Sequence, residues 1–180
     1  LANICIVIGA LMTGSGILFL AKGSLWSILI VTGIFTLASI FSRSGLLATF
    51  AVLMLSTAVG ARTGYFHASY FLGIKEPLIA IILFSTLSIG LYHLSKILSA
   101  EYERLAIIAA RTGVFIVNLG FWIGSLWGDS LGSGMFRFAD DAFAIAWAIA
   151  LIATGVWAWS RNRQWVLNTV ATFGGIHFYT

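Results

Sequence analysis

Apolar residues run along this chain in long blocks separated by short polar breaks. Six blocks are plain, at about 3–21, 25–41, 46–60, 77–100, 105–127 and 142–160, and a shorter seventh covers 165–180. A helix needs about 20 apolar residues to cross the hydrocarbon core of a bilayer. Backbone groups inside lipid must bond internally, which restricts the choice to helices or a closed barrel. The blocks lack the two-residue alternation of barrel strands. The pattern therefore predicts an all-α fold, a polytopic transmembrane bundle of six to seven helices forming one domain over residues 1–180. The second and third blocks are short, and the seventh reads as a truncated helix. The chain opens on Leu1 with no basic segment, so the first block reads as a span rather than a signal peptide, with room for a missing N-terminal segment.

The breaks are mostly tight, as in "SRSG" at 42–45. Two are longer, "ARTGYFHASYFLGIKE" at 61–76 and "GDSLGSGMFRFADD" at 128–141. Pro77, the only proline, opens the fourth block, where a helix has no use for its missing N–H, and Glu76 stands at the positive end of the dipole. Threading seven spans puts Lys22, Arg62, Lys75 and Arg137 on one side, with Glu76, Asp129, Asp140 and Asp141. The other side receives Arg43, Lys96, Arg104, Arg161 and Arg163, with Glu101 and Glu103. Arg111 joins that side if its stem snorkels. The cationic excess marks this second side, and the N-terminus with it, as cytoplasmic. Trp26 and Trp127 fit one interfacial belt and Trp157, Trp159 and Trp165 the other, while Trp122 and Trp147 lie deeper and read as packing residues.

Composition agrees with this reading. Hydrophobic residues make up 60% of the 180 and charged residues 9%, too few for a water-facing surface. The net charge of +4 is scattered singly or in pairs between blocks, which argues against nucleic-acid binding. Cys5 is the sole cysteine, so an internal disulfide and a cysteine metal cluster are both excluded.

The fifth block carries two stripes. Arg104, Arg111, Asn118 and Ser125 recur every seven residues along one helical face. Gly113 and Gly120 recur at the same interval, offset by two residues or roughly 200°, and Gly124 adds a small-xxx-small pair. Neither face suits lipid, so this helix is expected at the centre of the bundle. The fourth block carries Ser85, Ser88, Tyr92, Ser95 and Ser99 at steps of three and four. Ser85, Ser88, Tyr92, Arg104, Arg111, Asn118 and Ser125 form a candidate polar seam between these two helices, a pathway or cleft in one reading and interhelical glue in the other. Gly113, Gly120 and Gly124 are the expected packing positions. Arg111 lies six residues past Leu105, about 9 Å along a helix, within snorkelling reach of headgroups or of Glu101 and Glu103.

His93 and His177 fall toward opposite faces of the membrane, which disfavours a shared haem. His67 is expected in aromatic packing and His93 in a hydrogen bond within the bundle. Asp140 and Asp141 precede the sixth block, where a helix cap outweighs a cation site. "ARTGYF" and "ARTGVF" look alike, but their flanks do not, and no repeat follows. No phosphate-loop, zincin or nucleophile-elbow motif is present, and no cofactor or metal is implied.

"YFHASYFLGIKEPL", "RTGVFIVNLGFWIGSLWGD" and "RNRQWVLNTVATFGGIHFY" resemble segments of bacterial multi-pass proteins classed as predicted membrane proteins with a domain of unknown function. That resemblance implies a bacterial inner-membrane location and supplies no catalytic residues. The leading functional expectation is a non-enzymatic scaffold, accessory subunit or sensor module. Its partners are the lipid bilayer and either a membrane protein or a second copy, met through helix faces. A transporter or channel for a small solute, using the polar seam, is the alternative, and a membrane enzyme ranks third.

Overall fold

The computed structural model describes residues 2–66, 69–74, 76–131 and 136–180, so the expectations for His67 and Lys75 lie outside the described residues. Among the described residues, seven helices follow the seven blocks: α1 (Ala2–Leu20), α2 (Leu25–Ser42), α3 (Gly45–Ala58), α4 (Pro77–Ser95), α5 (Ala100–Trp127), α6 (Asp140–Ser160) and α7 (Gln164–Tyr179). Five of them, α1, α2, α4, α5 and α6, are long and apolar enough to cross a membrane. The chain is a helical integral membrane protein. At 14 residues α3 reaches about 21 Å, short of a hydrocarbon core of about 30 Å.

The turns follow local chemistry. Ser24 caps α2 by accepting from the Ser27 N–H at 3.3 Å. Lys22, Gly23 and Arg43 take the left-handed conformations (φ 50°, 65° and 52°) that reverse the chain within a few residues. Pro77 does occupy the start of α4. Asp140 and Asp141 stand inside the first turn of α6, whose cap is Ala139 with no side-chain bond. Their contribution is therefore to the helix dipole, and the expected capping bond is absent.

The two longer connections, to which the sequence pattern assigned no element, form antiparallel ribbons. β1 (Ala61–Phe66) pairs with β2 (Ser69–Ile74), Ala61 opposite Ile74, and β3 (Asp129–Leu131) pairs with β4 (Phe136–Phe138). "ARTGYF" is thus a strand while "ARTGVF" lies within α5, and the shared letters carry no shared structure.

α5 packs against α2, α3, α4, α6 and α7. One core joins α1, α2 and α3 around Val31, Phe35 and Leu47; a second joins α3, α4 and α5 around Phe84 and Ile116; a third joins α5, α6 and α7 around Trp147 and Phe173. Among the described residues, α4 makes its one extensive helix contact with α5. That leaves α4 flanked by two grooves.

Candidate functional site

α5 sorts its two stripes by size. A Cβ placed on Gly113 would collide with Ser88 Oγ, and one on Gly120 would stand 2.9 Å from Ile81 Cγ1 and 3.5 Å from the Pro77 carbonyl oxygen. The glycine stripe therefore seats α4. Gly124 serves α6 instead, where a Cβ would come within 2.6 Å of the Phe143 ring. Ser88 of the α4 seam meets Gly113 of α5, while Asn118 and Arg111 of the α5 stripe reach Trp147 on α6 and Trp165 on α7.

On that second face, Asn118 is 8% exposed at the middle of α5. Its Nδ2 donates to the Val114 carbonyl at 2.9 Å, and its Oδ1 accepts from Trp147 Nε1 at 3.1 Å. Trp147 is fully buried and lies edge-on to His177 at 4.9 Å and to Phe173 at 6.3 Å. A buried indole N–H usually finds an acceptor, and Asn118 supplies it for Trp147, whereas Trp122 Nε1 is buried with no hydrogen-bond partner among the described residues. Trp147 is thus the partner that sequence reasoning took for ordinary packing. The signal was available: a deep tryptophan and a deep asparagine on adjacent helices.

Arg111 is exposed and stacks on the Trp165 ring at 4.8 Å, at the start of α7. It does not pair with Glu101 or Glu103. Glu101 is taken by Arg43 at 2.7 Å, a half-exposed pair worth at most about 1 kcal/mol. Arg104 is exposed beside them. Ser125 Oγ donates back to the Trp122 carbonyl at 2.7 Å, within its own helix. The seven seam residues consequently do not converge on one point.

Tyr92 gathers a second cluster. Its hydroxyl accepts from Arg163 Nη2 at 3.4 Å, Lys96 Nζ lies 4.8 Å above its ring, and Trp157 meets it edge-on at 6.4 Å. His93 is exposed and edge-on to Tyr92 at 6.0 Å, in place of the expected bond inside the bundle. Arg163 bridges α4 and the start of α7 here, a contact that helix periodicity alone does not locate.

Two cavities flank α4. One, of about 460 Å³, lies between α2 and α4, with Thr32 and Thr36 on one wall, Leu91 and Leu94 on the other, and Ala51 and Ala106 on its floor. The other, of about 330 Å³, lies between α4 and the α6–α7 pair over α5, and includes Ser85, Ser88, Asn118, Thr154 and Thr169. Ser88 Oγ itself is buried with no hydrogen-bond partner, aimed at Gly113. Among the described residues, no three His, Cys, Asp or Glu side chains gather where a metal ion could sit. No known protein family, curated protein or solved structure matches the chain.

Proposed function

We propose that the chain is a non-enzymatic membrane component, a scaffold or accessory subunit that receives a transmembrane helix of a partner protein in the groove between α2 and α4. The supporting observation is the shape and lining of that groove. Its floor is made of small residues, Ala51, Ala106 and Ala109, between walls of leucine and threonine. Small residues let membrane helices approach closely, while Thr32 and Thr36 donate back to the Ile28 and Thr32 carbonyls of their own helix and offer a partner only acceptor lone pairs. The glycine stripe of α5 is already occupied by α4 and α6, so it leaves no face for a partner. Solute transport would need polar groups facing an open path. Asn118 is engaged by Val114 and Trp147, and Ser88 Oγ presses on Gly113, so the polar seam supports internal packing better than a pathway.

The resemblance to bacterial multi-pass proteins supports an inner-membrane location. The cationic side, carrying Arg43, Lys96, Arg104, Arg161 and Arg163, is taken as cytoplasmic. A cysteine placed at Thr36, in a Cys5→Ser background, tests the partner reading in native membranes. A thiol-directed crosslinker should give one adduct of discrete mass, lost when Ala109→Phe fills the groove. An adduct containing two copies of the chain would replace the partner protein with self-association. No adduct, together with a monomer in mild detergent, would overturn the proposal.

A further inference from the structure

The second groove, between α4 and the α6–α7 pair, ends in a ring of cations and aromatics. Each of its four helices contributes, one turn beyond a groove-lining residue and toward the same end of the bundle. On α4, Tyr92 follows Ser88 by four. On α5, Arg111 precedes Val114 by three. On α6, Trp157 follows Thr154 by three, and on α7, Arg163 precedes Val166 by three. Residues three or four apart share a helical face. Because α4 and α6 run toward this end while α5 and α7 start from it, the four residues lie toward the same mouth, where Tyr92 touches both Trp157 and Arg163. The contacts agree: Arg163 bonds Tyr92 at 3.4 Å, Lys96 covers the Tyr92 ring, Trp157 abuts it, and Arg111 lies on Trp165.

Among the described residues the single ion pair is Arg43 with Glu101, leaving Lys96, Arg111 and Arg163 without a carboxylate within 4 Å. The imbalance extends over the whole face. Arg43, Lys96, Arg104, Arg111, Arg161 and Arg163 stand against Glu101 and Glu103, six to two. By sequence order the opposite face has four of each, so the formal charge of +4 belongs entirely to this side.

We infer that this groove holds an anionic phospholipid, one acyl chain lying along α4 and α7 and the phosphodiester held at the mouth by Lys96, Arg111 and Arg163. The groove is mainly apolar and sits at membrane depth, which suits a hydrocarbon chain. Cations from three helices suit a phosphate with several oxygens to share, and guanidinium groups bind phosphate through paired N–H donors. A basic pocket between transmembrane helices at the bilayer surface recognises anionic headgroups in this way.

The test is native mass spectrometry of the protein released from vesicles holding equal parts phosphatidylcholine and phosphatidylglycerol. Wild-type protein should retain phosphatidylglycerol several-fold over phosphatidylcholine. Lys96→Gln with Arg163→Gln should abolish that preference, while Lys22→Gln on the opposite face should keep it. Thr154→Trp, which fills the groove and leaves the cations in place, should reduce retention of both lipids. Added inorganic phosphate should not displace the lipid. Equal retention of the two lipids by the wild type would overturn the inference without needing any variant to fold. Displacement by free phosphate would overturn it in favour of a simple anion site, and full retention by the Thr154→Trp protein would remove the acyl chain from the groove.

Discussion

Gly124→Ala tests directly whether α6 is seated on α5. An alanine Cβ there would lie 2.6, 2.7 and 2.9 Å from three atoms of the Phe143 ring, and Phe143 is 5% exposed, so the ring has little room to withdraw. Overpacking of this kind costs about 1–3 kcal/mol, and three overlapping atoms place it near the top of that range. Alanine also gains about 1 kcal/mol of helix propensity over glycine, leaving a net loss of about 2 kcal/mol. Gly90→Ala isolates the propensity gain, because nothing lies within 4 Å of a Cβ at that exposed site on α4. It should be neutral or stabilising by up to about 1 kcal/mol. Phe143→Leu removes the obstructing ring, so the double variant should be more stable than the two single losses predict, with a coupling of about 1 kcal/mol or more. Reversible unfolding in mixed micelles, followed by the fluorescence of the seven tryptophans, gives all four values. If Gly124→Ala were as stable as Gly90→Ala, with no coupling to Phe143, the α5–α6 contact would not be the one described.

Asn118→Leu should cost about 1–2 kcal/mol, because it leaves the Trp147 N–H buried without an acceptor; adding Trp147→Phe should recover part of that loss, as read by the same unfolding assay. Ser88→Ala removes a buried hydroxyl that has no partner, so stability should stay within about 0.5 kcal/mol of wild type or rise. A loss above that range would mean the hydroxyl is bonded. Glu101→Gln should cost less than about 1 kcal/mol, and that cost should shrink with added salt, since the Arg43–Glu101 pair is half exposed. A large effect independent of salt would place the pair in a drier setting.

The number of helices and the central place of α5 were legible in the chain, because apolar blocks and two opposed stripes admit few other arrangements. Which neighbour each stripe meets was not legible. Polarity alone suggested that the hydroxyls of α4 would seek Asn118 and Arg111. The packing follows size instead. Serine at 88 is short enough to press against Gly113, and the two helices close to a distance that an asparagine or arginine would prevent. Asn118 and Arg111 need deeper space and large flat partners, which α6 and α7 provide as Trp147 and Trp165. The ribbons were missed for a related reason: β1 and β2 are rich in aromatics and glycine, with no long alternating run to separate a hairpin from a loop. The grooves beside α4 belong to the same logic. An α4 held so closely by α5 alone stands back from α2 and from α6–α7, and that separation creates the two cavities at its flanks. If so, moving α4 outward by Gly113→Leu should alter both grooves together. Crosslinking at Thr36 and phosphatidylglycerol retention should then fall in parallel, whereas loss of one with the other unchanged would mean the glycine contact does not set them both.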